Sequence, residues 1–360
     1  MRKHIIYRYF LFLSLVGLMQ LTLSCSSSSN EIEPLKPEGE DTPLEKDEYT
    51  FMNVEYRKWQ NGTFQAWTTA DSRETRTIDN MNWYTPSSDY SRTAWGGRIG
   101  LQPSSVVGKE GFFRVANCGG RSYLLDPDNG AVIIHGIQHV RPGESTAHKK
   151  AFGTRYGSEA RWSEETGKLL ADNHINYISY GSNRIEVFPA AVRGNLLTPK
   201  TQKIAYAENL YLLRTFMWDM SKNLGYAFDD DKYNRLVLLF EPTFATYIDR
   251  LVQEKSALFA GDRHFIGFYL DNELPFASYQ GTGYANTEGG GWLVHTQKNR
   301  GEFYQNFCLR LLETRNCVGW VHFEYNDGYD SNGKASNKGV VSIEYEPYES
   351  FLSQMRQLNL

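Results

Sequence analysis

The chain has 360 residues and a formal net charge of −4, which gives no electrostatic reason to expect a nucleic acid partner. Aromatic residues make up 14% of it, with 23 Tyr and 8 Trp, an excess that leans toward stacking on sugar rings or toward ordinary packing without deciding between them. The four cysteines follow no zinc spacing, so no metal or cofactor is expected.

The first predicted element is an export signal. Arg2, Lys3, His4 and Arg8 form a basic start, and an apolar run follows from Tyr9 to about Leu23. That run is shorter than the roughly 20 residues of a membrane-spanning helix and has the flanks of a signal peptide. It ends in Leu21-Thr22-Leu23-Ser24-Cys25, which resembles a bacterial lipobox with Thr22 in place of the usual aliphatic residue. Residues 1–24 are therefore read as a signal peptide and Cys25 as a lipidation site. Cleavage at an ordinary signal-peptide site nearby is the alternative. The acidic, serine-rich stretch 25–48 has little to bury and is expected to be a disordered tether. The expected location is the outer membrane or cell surface, or the periplasm, with the membrane met through the lipid alone.

Residues 49–108 hold Trp and Tyr without a clear period and are read as a small β-rich accessory segment. From residue 109 onward apolar runs alternate with helical patterns. Ala131–Gly136 reads as a strand entered through the turn Asp126–Gly130. Ser163 to Asn173 reads as a helix, followed by a strand over Ile175–Gly181. Leu210, Leu213, Met217 and Met220 share a helix face, and Leu236–Phe240 reads as the next strand. Phe244–Leu258 is expected to be a helix that leads into a strand over Phe265–Leu270. A helix through Phe303 and Leu312 precedes a strand over Cys317–Tyr325, and a helix over Pro347–Leu358 closes the chain. Such alternation implies an α/β fold with a parallel sheet, and an eight-stranded TIM barrel is the leading architecture for 109–360. Cys118, Cys308 and Cys317 are read as buried free thiols.

Chemistry in a barrel collects at the C-terminal ends of the strands. The polar residues there are His135, then Ser182 and Asn183, then Glu241, then Asp271-Asn272-Glu273, then His322, Glu324 and Asp327. The Asp-Asn-Glu group is the strongest of these. A strand-end carboxyl near apolar surroundings can hold a raised pKa and donate a proton, although the same tripeptide could simply cap the next helix.

The stretch Phe265–Pro275 resembles the fourth-strand motif of retaining glycoside hydrolases of clan A. Tyr123–Gly130, Phe240–Phe244, Gly291–Gln297, Cys317–Trp320, Ser336–Val340 and Glu346–Tyr348 are similar, in the same order, to the agarase-like branch of that clan. The resemblance covers about Gly111 to the end. It implies a barrel acting on a polysaccharide such as agarose or a related galactan, with Glu273 as acid/base and Asn272 near the scissile bond. His135, Trp320 and His322 would bind substrate.

The chain also departs from that family. The clan's nucleophile sits at the end of the seventh strand, yet Leu274 to Gly301 is all that separates Glu273 from the next helix. Three βα units would take about 90 residues. Strands five to seven are thus expected to be missing, leaving an incomplete barrel and an unidentified nucleophile, with Glu324 and Glu288 as weak substitutes. Two readings follow: a shortened glycoside hydrolase, or an inactive, internally deleted relative that binds glycan or has no activity.

Overall fold

The computed structural model describes residues 50–60, 63–81, 91–182, 190–224, 240–271, 292–314, 317–329 and 335–359. These lie within one compact unit, Lys46–Leu360. The expected signal peptide, Cys25 and the whole expected tether fall outside the described residues.

The chain opens with β1 (Met52–Gln60), β2 (Thr63–Phe64) and β3 (Asp71–Thr75), then β4 (Ser105–Val107), β5 (Arg114–Cys118), β6 (Arg121–Leu125) and β7 (Ala131–Val132). β1 pairs antiparallel with both β2 and β3, while β4 to β7 form a separate antiparallel meander. The β-rich layer therefore runs on to Val132. Ala131–Gly136, expected as one strand, is two. β7 closes the meander, and after Ile133 the chain enters β8 (Ile134–Ile137) of another sheet.

Helices and strands then alternate. They are α1 (Thr146–Arg155), α2 (Glu159–Asp172), β9 (Tyr177–Ile178), α3 (Ala190–Leu197), β10 (Ala205–Asn209), α4 (Leu212–Leu224), α5 (Phe244–Phe259), β11 (Phe265–Tyr269), β12 (Trp292–Val294), α6 (Gln297–Glu313), β13 (Gly319–His322), β14 (Gly328–Tyr329), β15 (Ala335–Ser336) and α7 (Glu349–Asn359). Side-chain caps start several of the helices: Ser145, Ser158 and Thr296 accept from the amides of His148, Arg161 and Asn299. On α2, Trp162, Thr166 and Leu170 recur at i, i+4, i+8 and are all buried, the stripe expected of a helix lying on a sheet.

Five strands form one parallel sheet in the order β11–β10–β9–β8–β13. Each is short and largely apolar, as strands covered on both faces are. Among the described residues this sheet does not close into a barrel. One of its strands, β10, was not expected from the sequence. The strand expected at Leu236–Phe240 falls mostly outside the described residues, and Phe240 belongs to the turn before α5, where the Glu241 carbonyl accepts from Phe244 N.

The sheet separates two cores. Toward the helices, Ile137, Ile178 and Tyr206 pack with Trp162, Leu170, Leu196, Phe351, Leu352 and Met355. On the other face, Ile134, Tyr177, Ala205 and Ala207 pack with Trp95, against Phe113, Leu124, Ile266 and Val321. Trp95, Phe113 and Leu124 come from the antiparallel layer and mostly meet residues early in their strands. They plug the N-terminal end of the sheet and leave its C-terminal end for other work.

Candidate functional site

The C-terminal end of β11 is built from backbone upward. Leu210 N donates to Tyr269 O and Leu212 N to Leu270 O, at 2.9 and 3.0 Å. Asp271 Oδ2 accepts from Leu213 N at 2.9 Å, in the first turn of α4. A carboxylate on the free amides of a helix start is doubly favoured, by the hydrogen bond and by the helix dipole. These contacts fix the end of β11 as far as Asp271, next to Asn272 and Glu273 in the sequence. Those two residues, with Glu288 and Asn183, lie outside the described residues.

Beside this strand end stands a line of aromatic side chains. Tyr177 OH donates to Tyr269 OH at 3.2 Å, and Ser179 Oγ approaches the same oxygen at 3.5 Å. Burial, together with Tyr269, pushes the Tyr177 phenol far up, so it remains neutral. Tyr180 meets Tyr269 edge-on at 4.8 Å and Tyr211 at 6.2 Å. Arg214 then bridges Tyr211 and Trp218, its guanidinium carbon 6.0 and 4.9 Å from the two ring centres. Tyr211 has a φ of 48°, a left-handed backbone that costs a bulky residue about 1–3 kcal/mol. Asn209 Oδ1 accepts from Tyr211 N at 2.8 Å, an Asx turn that holds the strained conformation and so aims the ring.

A second polar group sits at the far side of the same sheet. His139 Nδ1 lies 3.3 Å from Glu324 Oε2. His139 also has a left-handed φ, 55°, and its ring packs over Gly181, where a Cβ would come within 2.6 Å of it. Glu324 follows the end of β13. Four strand spacings, roughly 19 Å along the sheet, separate β13 from β11.

Trp320 and His322 face the helices, not the sheet face that carries Val321. Trp320 is buried and its Nε1 donates to Tyr304 OH at 2.6 Å. His322 Nε2 lies 3.1 Å from an Arg300 nitrogen and 3.0 Å from the Lys338 carbonyl, and its ring packs on Phe351. His135 lies on the same helix side, its ring 4.8 Å from that of Trp320. Burial lowers its pKa to about 3. Glu324 follows the strand and meets His139 rather than the Trp320 and His322 cluster. Asp327 is consumed by Gly339 N, Asn337 Nδ2 and Tyr348 OH at 2.8, 2.9 and 2.5 Å, and Ser182 Oγ by Val140 N at 2.9 Å. Of the thiols, Cys308 is buried while Cys118 and Cys317 are half-buried. Among the described residues no three His, Cys, Asp or Glu gather as metal ligands do.

Tyr180, Tyr211, Arg214, Trp218 and Tyr269 were not singled out from the sequence. The signal available was the general aromatic excess and the i, i+4 spacing of Arg214 and Trp218 on a helix.

No family model matches this chain, and no curated protein matches it. Among solved structures it is similar to the crystal structure of BpGH50, at 17% identity and a TM-score of 0.67, over 86% of this chain and 94% of that one. It also aligns with an agarase, AgWH50C, at 12% identity and a TM-score of 0.44, over 74% of this chain and 65% of that one. An exo-β-agarase aligns at 11% identity and a TM-score of 0.45, over 75% and 66%. The latter two are too distant to carry an argument. The likeness to BpGH50 is one of fold, a GH50-like glycoside hydrolase fold, and it takes in nearly the whole of that chain.

Proposed function

We propose that this chain is an exported, lipid-anchored glycoside hydrolase that acts on a polysaccharide such as agarose or a related galactan. Glu273 serves as general acid/base and Asn272 binds beside the scissile bond. The observation that carries the reading is the GH50-like fold together with β11, which runs to the strand end at Asp271, the residue that precedes Asn272 and Glu273 in the sequence. A carboxylic acid there protonates the glycosidic oxygen as the bond to the sugar carbon breaks. The second carboxylate, which stabilises or attacks that carbon, comes from Glu288 in the glycine-bearing stretch or from Glu324. Cys25 carries the lipid, and the stretch behind it displays the fold at the cell surface or in the periplasm. Lipid labelling tests the anchor: labelled palmitate enters the wild type and not Cys25→Ala, and equal labelling of both sinks it.

A second reading, glycan binding without cleavage, is favoured by the sheet order. Between β11 and β13 the described residues contain β12, which pairs with β1 rather than with the parallel sheet, and α6. That leaves few residues for a seventh strand. A panel of red-algal and plant polysaccharides separates the two. Hydrolysis predicts sugar release by the wild type and a loss on the order of 100- to 10,000-fold in Glu273→Gln. Binding with no release by either protein supports the second reading.

A further inference from the structure

Arg214 stands out among the charged side chains near the rim. It is exposed, and among the described residues it forms no ion pair. Its neighbours are two rings, Tyr211 and Trp218, and Trp218 is 54% exposed. Two described carboxylates close to it along the chain or in the fold are engaged elsewhere: Asp271 accepts from the amide of Leu213, next to Arg214 in the sequence, and Asp219 from Tyr247 OH at 2.6 Å. A guanidinium whose described neighbours are rings rather than carboxylates keeps N–H donors for another partner. That partner has to be an acceptor, and the best match for a planar fork is a two-oxygen anion.

The location says what would carry the anion. Tyr269, Tyr180 and Tyr211 lead in unbroken ring contact from the end of β11 to Arg214, and Trp218 continues the line along α4. Rings in sequence suit a chain of sugars, because each pyranose offers an apolar face. Tyr211 is held by a strained backbone and its Asx turn, so the frame around Arg214 is set before any ligand arrives.

We infer that the polysaccharide taken by this site is anionic, with Arg214, framed by Tyr211 and Trp218, binding a sulfate ester or uronate carboxylate on a sugar beyond the end of β11. The inference rests on the proposed glycan-handling function and narrows its substrate class. Docking the anion leaves Asp271 on its helix amide and adds one charge-assisted contact. Salt therefore weakens it, while stacking of a neutral sugar is unaffected.

The test is calorimetric titration of the mature chain with three oligosaccharide sets: neutral agarose fragments, sulfated galactan fragments and polyuronate fragments. The wild type should bind one anionic set more tightly than the neutral set, and the choice between sulfated and uronate fragments identifies the anion. Arg214→Met should weaken that binding roughly fivefold, the scale of one exposed charge pair, and by clearly more than it weakens neutral binding. Arg214→Lys, which keeps the charge without the fork, should fall between them. Equal affinity for neutral and anionic sets, or no effect of Arg214→Met, overturns the inference while the galactan reading stands. Arg214-dependent binding of polyuronate with no galactan bound upholds the inference and removes the galactan. No binding of any set overturns both.

Discussion

The two edges of the parallel sheet use the same residue types for opposite ends. At β13, Trp320, His322 and Tyr304 are packed under α6 and α7, with their polar atoms bonded to one another, to Arg300 and to the Lys338 carbonyl. At β11, Tyr269 and Leu270 are 37% and 63% exposed, and the tyrosines beside them line the C-terminal rim. An aromatic ring or an imidazole is therefore no guide to sugar binding in this fold. What decides is whether the side chain looks toward the helix layer or toward the rim.

Truncation should expose that contrast most sharply. Trp320→Ala removes a large buried ring and strands the Tyr304 hydroxyl, so it should cost about 3–5 kcal/mol in a denaturant melt. Trp218→Ala removes an exposed ring from α4. It should stay within about 0.5 kcal/mol of the wild type while weakening glycan binding in the same titrations. Similar stability losses in the two variants would mean that the edges are not different environments.

Individual strands were legible where they are rich in large apolar residues. Phe265–Tyr269 and the helix before it lie where the periodicity put them, as do α2, α6 and α7. β10 was missed because its rim-plug face carries Ala205 and Ala207. These are small because Trp95 and Tyr177 already fill that space, and small residues give little hydrophobic signal. β7 and β8 were merged because one apolar run serves two sheets, and hydrophobicity does not record a change of sheet. At the site, the strand-end position of Asp271 could be read from the run that precedes it. The facing of β13 could not. Alternation shows which residues share a face, and only the packing of α6 and α7 shows which face is covered.

Acid should bear on the covered edge more than on the open one. Burial, and next the Arg300 guanidinium, hold the His322 pKa at about 4, with the Lys338 carbonyl opposing them. An unfolded histidine titrates near pH 6.5. Because the folded value is the lower one, the unfolded chain binds more protons between about pH 4 and 6.5. Stability from neutral His322 is therefore complete above pH 6.5 and is lost as the pH falls through that window. In His322→Gln the decline between pH 7 and pH 5 should be smaller by roughly 1–2 kcal/mol, allowing for partial exposure. The variant loses the packing of the ring and starts from a lower value at pH 7, so the slope and not the midpoint is the readout. Stacking of a neutral sugar on the rings of the other edge brings in no charged partner and should be insensitive to the same change. A variant whose stability falls as steeply as the wild type would place His322 in water, and the distinction between a packed edge and a binding edge would fall with it.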